Sequence, residues 1–170
     1  MNDLIIATQL LHNLFMFYNV KKEVSGILKG SYVYSGHSHN PVNVFVYDCL
    51  FFKNKQSTER QASWKYRRDA FGYFHSHISG NLNLSLADKL LLFLFWILGQ
   101  NLSLVYGKCD QLFVLIFYKF TLKGIKEIKR VEYNFLDLFN QISGELVTSK
   151  DNSELRVQNE EFKSEEINKC

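Results

Sequence analysis

Apolar residues recur along the first stretch of the chain at spacings of three and four: Leu4, Ile5, Leu10, Leu11, Leu14, Phe15 and Tyr18. That period predicts one amphipathic helix over 3–19, ended by Lys21-Lys22. Segments 23–29 and 32–34 then alternate in the manner of two short strands, with Gly26, Gly30 and Gly36 marking turns or close approaches. The polar run 36–41 predicts a turn, and the Val-, Phe- and Tyr-rich stretch 42–52 a strand. Charges, Gln and Ser fill 53–69, a loop or short helix at the surface. Strand character returns over 70–77, followed by a Gly/Asn/Ser loop at 78–84.

Ser85 suits a helix N-cap, because its hydroxyl can accept a bond from a first-turn N–H. The helix it opens runs over 86–99, with Gly99 as its stop. Its apolar stretch, Leu90 to Leu98, spans nine residues. About 20 are needed to cross a bilayer, so the expectation is a buried core helix and no membrane segment. Strands follow at 102–106, 112–122 and 128–135. The middle one is almost continuously apolar and is expected at the centre of the sheet. A short helix is expected over 136–142. From Ser143 the chain is charged and rich in Ser, Asn and Glu, which predicts a frayed tail.

The succession of helix, strands, helix and strands predicts a single α+β domain over 1–142, a mixed β-sheet flanked by helices, with a flexible tail over 143–170. The 170-residue length suits one domain, and 46% hydrophobic with 15% aromatic residues supports a packed core. A net charge of +3 is too mild for a nucleic-acid partner. The three cysteines, Cys49, Cys109 and Cys170, are widely spaced and odd in number. They indicate neither a disulfide framework nor a zinc knuckle, and a reducing cytoplasmic setting is the expectation. The acidic third residue argues against a secretory signal.

The chemistry concentrates in Gly72-Tyr-Phe-His75-Ser-His77 and the Ser85 and Asp88 that follow. Side chains one residue apart on a strand point the same way, so His75 and His77 share a face. A helix opening at Ser85 puts Asp88 in its first turn. Two imidazoles and a carboxylate are a ligand set of catalytic zinc. In the alternative the histidines are ordinary polar residues and Asp88 only complements the helix dipole. His37-Ser38-His39 repeats the tripeptide, but Leu50 stands where an acid would be required and Asp48 is at the wrong offset. His12 is read as structural. Lys65, Arg67 and Arg68, beside Trp64 and Tyr66, form a basic cluster that is either solvated loop or a surface for a protein substrate.

The pattern H-S-H, seven residues, Ser, two residues, Asp resembles the signature of the JAMM (JAB/MPN) metalloproteases. Glu23-Val-Ser-Gly26-Ile-Leu28-Lys-Gly30 is similar to the family's upstream E-x-x-G-x-L-x-G, and the resemblance covers roughly 3–135. It implies an MPN/JAB-like, cytidine-deaminase-like fold with Zn2+ held by His75, His77 and Asp88. It implies Glu23 as the general base and acid, and Ser85 as hydrogen-bond donor to the oxyanion. The implied activity is a peptidase or isopeptidase that removes ubiquitin-like or sulfur-carrier-like proteins from conjugates or C-terminal extensions. Two other readings stay open: a non-catalytic MPN-type scaffold binding a partner subunit, and a zinc hydrolase of small amino-acid conjugates. The chain departs from the family at Ile78, where Pro is usual, and at Tyr73, where Trp is usual. Leu102 follows the helix at once, leaving little room for the insertion that grips polyubiquitin linkages. Oligomeric state is not readable from the pattern.

Overall fold

The computed structural model describes residues 3–18, 21–34, 41–52, 66–78, 80–100 and 102–144, without the side chains of 41 and 42. The chain divides into two compact units, Met1–Tyr133 and Asn134–Cys170. The first contains strand β1 (Asp3–Ile6), helix α1 (Thr8–Met16), strands β2 (Ser25–Tyr34), β3 (Pro41–Phe51) and β4 (Gly72–His77), and helix α2 (Leu86–Ile97). Strands β5 (Leu102–Cys109), β6 (Leu112–Thr121) and β7 (Gly124–Asn134) complete a seven-stranded sheet in the order β1-β3-β2-β4-β5-β6-β7. The fold is α+β with a mixed sheet: β1–β3 and β4–β5 pair parallel, whereas β2 pairs antiparallel with both β3 and β4, and β5 with β6. The sheet is nearly closed, since Lys129 Nζ on β7 donates to the Leu4 carbonyl on β1 at 2.5 Å.

Alternation along the strands sorts their side chains onto two covered faces. On one face Phe15 of α1 meets Phe113 edge-on at 5.2 Å, with Tyr106 and Phe74 in the same aromatic layer. On the other, Leu92 of α2 packs with Leu82, Val105, Val114, Ile116 and Tyr118. Phe95 stacks on Tyr73 with ring centroids 3.8 Å apart, an aromatic pair worth about 0.5–1.5 kcal/mol beyond its burial. Covering on both faces explains why β6 is apolar without a break from Leu112 to Tyr118. The run does not make β6 central: it lies second from one edge, and β4, which carries the histidines, is the middle strand.

Three further expectations are corrected. The segment 3–19 is not one helix, because residues 3–6 form β1 alongside β3 and Ala7, whose N–H donates to the Val46 carbonyl at 3.0 Å, opens a nine-residue helix. The stretches 23–29 and 32–34 are parts of a single strand, β2, with a register shift between Lys29 and Gly30, and Glu23 lies just ahead of it. Helix α2 is not wholly buried: Leu92 and Phe95 are interior while its opposite side is exposed. Gly99 does stop it, with φ of +84° and its N–H on the Trp96 carbonyl.

Two glycines are required by close approach. A Cβ on Gly26 would collide with the Leu50 carbonyl and lie 2.6 Å from the Phe74 ring; one on Gly107 would strike the His77 carbonyl. The second unit is described as helix α3, residues 135–144, whose first turn is capped by Asn134 Oδ1 accepting from the Leu136 and Asp137 N–H groups. Among the described residues no helix is long and apolar enough to cross a membrane.

Candidate metal centre

Strand β4 directs Tyr73, His75 and His77 to the α2 side of the sheet, and Phe74 and Ser76 to the other. Helix α2 starts against this strand end with a capping box. The Ser85 hydroxyl accepts from the Asp88 N–H at 3.2 Å, and the Ser85 N–H donates to Asp88 Oδ2 at 2.8 Å. Asp replaces the more common Glu of such boxes. The shorter side chain is held at the helix start with Oδ1 turned to His75 and Oδ2 nearest His77.

The result is a cluster of three Lewis-basic groups. The two Nε2 atoms lie 2.9 Å apart, His75 Nε2 is 3.2 Å from Asp88 Oδ1, and His77 Nε2 is 3.6 Å from Asp88 Oδ2. All three side chains are nearly closed off from solvent. Electron-rich atoms this close repel unless a cation, a proton or a metal ion, lies among them. Among the described residues this His-His-Asp group could hold a metal ion. Taking one atom from each residue, the three groups lie within 4.8 Å of one another, near the spacing of about 3.3 Å that bonds of about 2.0–2.1 Å at tetrahedral angles set between zinc ligands.

Tautomer and charge also fit. The Nδ1 of His77 faces the Asn81 carbonyl at 2.7 Å. A carbonyl only accepts, so Nδ1 carries the proton and the Nε2 lone pair of the neutral ring faces the cluster. Burial pushes the Asp88 carboxyl up, but its contacts with His75 and His77, the charge of His75 and the Ser85 bond outweigh it and hold the group well below the usual carboxylate range. Burial alone would lower His77; the Asp88 and Asn81 contacts and the negative charges of Asp88 and Glu23 reverse that and raise it.

Glu23 is half-buried and senses the charges of His77, His75 and Asp88. Burial and the Asp88 charge raise its pKa against the lowering effect of the two histidines. What places it is Ser76, whose hydroxyl accepts the Val24 N–H at 2.9 Å while its N–H donates to the Val24 carbonyl at 2.8 Å. The middle residue of His-Ser-His thus ties the Glu23 segment to the histidine strand from the opposite face. Neither Ser76 nor the Asn81 carbonyl was singled out by the motif. Ser76 stood inside it without a role, and a main-chain carbonyl leaves no residue-type signal.

The remaining candidates lie elsewhere. Asp48 sits on β3, accepting from Asn13 and from the Cys49 N–H and facing Lys29 at 3.7 Å, a structural network. His12 is half-buried on α1. Arg67 pairs with Asp69 at 2.7 Å and Arg68 is exposed, whereas His37, His39, Trp64 and Lys65 fall outside the described residues. Ile78 bends the chain directly after β4. No protein-family model matched the sequence, and no curated protein matched it.

Proposed function

We propose that the chain is a zinc-dependent peptidase or isopeptidase with an MPN/JAB-like domain, acting on a ubiquitin-like or sulfur-carrier-like protein at its C-terminal junction. The observation that carries this reading is the grouping of His75, His77 and Asp88 with Glu23 close enough to sense their charges, four of the five site residues the JAMM resemblance implies. His75, His77 and Asp88 would hold the ion, leaving a tetrahedral site one open position. When bound, zinc supplies Lewis acidity towards a carbonyl oxygen and makes water more acidic.

The chain's own groups supply the proton movements. Glu23, its carboxyl made more basic by burial, takes a proton from water and passes it to the leaving amine. Ser85 donates its hydroxyl hydrogen to the substrate carbonyl oxygen as charge develops there. Its capping bond uses an oxygen lone pair, so the two roles do not compete.

Zinc content of the purified protein should approach one ion per chain and fall away in the His75→Ala/His77→Ala variant; equal content in both would refute the metal centre. Glu23→Gln should keep zinc and lose nearly all cleavage of ubiquitin-like fusions. Full activity in that variant would remove Glu23 from the mechanism.

A further inference from the structure

Glu23 stands just ahead of β2, where that strand parts from the histidine strand. The β2–β4 register ends at Ser25↔His75. One step further, a regular antiparallel pair would exchange two main-chain bonds. Here the Ser76 N–H does donate to the Val24 carbonyl, but the Val24 N–H donates to the Ser76 hydroxyl. The main-chain ladder thus stops beside Glu23, and its last bond depends on a side chain.

Ser76 is fully buried, on the face of β4 opposite the histidines. Its hydroxyl can take three staggered positions, and its own hydrogen needs an acceptor while the oxygen serves Val24. Across the parallel β4–β5 pair, the residue in register with Ser76 is Tyr106. Tyr106 is also fully buried, among Tyr18, Phe74 and Phe113. Its hydroxyl is closed off from solvent and makes no direct hydrogen bond among the described residues. Phenylalanine would fill the same aromatic layer without burying an unmatched hydroxyl, so the hydroxyl calls for a role. Ser76 is the polar neighbour that supplies one: burial, Cys49 and Tyr18 raise the pKa of the phenol, and Ser76 acts to lower it.

We propose that Ser76 and Tyr106 are positioning residues for Glu23. The Ser76 hydroxyl tethers Val24 and so fixes the adjacent carboxyl beside the histidine cluster. The Tyr106 hydroxyl behind it keeps Ser76 in the rotamer that faces Val24. Neither residue touches the reacting atoms. The inference rests on the general-base role proposed for Glu23, but the tether itself can be read without catalysis.

Steady-state cleavage of a ubiquitin-like fusion by the zinc-loaded full chain reads the positioning. Ser76→Ala should lower kcat by about 10²-fold, the cost of a group displaced by about 1 Å, with KM and zinc content unchanged. Ser76→Thr, which keeps the hydroxyl, should recover most of that loss. Tyr106→Phe should lower kcat less, and adding it to Ser76→Ala should cost nothing more, because residues acting through one bond are not additive. Amide hydrogen exchange reads the tether: Val24 should exchange about tenfold faster in Ser76→Ala and regain protection in Ser76→Thr. Circular dichroism checks folding, and Ser76→Cys, whose sulfur is a weak acceptor, replaces an unfolded Ser76→Ala. Unchanged kcat, a loss of activity matched by loss of zinc, or unchanged Val24 exchange would each overturn the proposal; additive losses would remove Tyr106 from it. A wild-type chain that cleaves nothing refutes the proposed function instead, and Val24 exchange then decides the tether alone.

Discussion

The N-cap role of Ser85 and the oxyanion role proposed for it are separated by a small set of substitutions. Its hydroxyl oxygen accepts the Asp88 N–H at 3.2 Å, a long bond on an exposed side chain, while the reciprocal Ser85 N–H to Asp88 bond survives any substitution other than proline. The lost cap in Ser85→Ala should therefore cost about 1 kcal/mol. That corresponds to about 4 °C in melting temperature for a domain of this size. Ser85→Gly gives up only a few tenths of a kcal/mol, because glycine is itself a tolerated N-cap. As oxyanion donor, however, glycine is as deficient as alanine, and loss of such a donor costs about 10²–10³ in kcat. Stability should rank Ser and Thr above Gly above Ala, whereas activity on a ubiquitin-like fusion should survive in Thr and collapse equally in Gly and Ala. Thermal melts and single-turnover cleavage of zinc-loaded protein read the two scales. If Ser85→Gly cleaves at the wild-type rate, Ser85 is only a cap; if Ser85→Ala melts with wild type, the capping geometry is wrong.

Other expectations follow from packing and titration. Gly107→Ala places a Cβ against the His77 carbonyl and 2.9 Å from Leu82 Cδ2. It should cost about 1–3 kcal/mol in urea unfolding and lower zinc retention, and a fully stable variant would contradict the close approach. Burial, with Asp48 adding to it against Lys29, pushes the Cys49 thiol up to about 12. Above pH 9 the unfolded thiol loses its proton before the folded one, so the unfolded state binds fewer protons and stability falls as pH rises. Between pH 9 and 12 wild type should lose up to about 1.4 kcal/mol per pH unit more than Cys49→Ala. Parallel pH profiles would show that the thiol does not contribute.

Parts of the fold were legible because local chemistry decides them. Ser85, Asp88 and Gly99 bracket α2 through a cap, a reciprocal bond and a left-handed stop, all readable from residue type. His75 and His77 share a face by strand period alone. The break after Ile6 was hidden because Leu4 and Ile5 continue the helical spacing; they become strand only because β3 lies beside them. The apolar run of β6 reports covering on both faces and carries no information about strand order. Likewise the leucines of α2 declare apolar surface without saying which side meets the sheet. Glu23 was placed by resemblance, and the Ser76 and Val24 bonds that hold it join residues far apart in sequence.

The Asp88 carboxylate joins the helix start to the histidines. Oδ2 accepts the Ser85 N–H and is the oxygen nearest His77, while Oδ1 faces His75. Fraying of that first helical turn and release of any ion the cluster holds would therefore be motions along a shared coordinate. A substitution on α2 that loosens its opening turn would become a substitution in metal retention, at a distance from the ligands and without altering any of them.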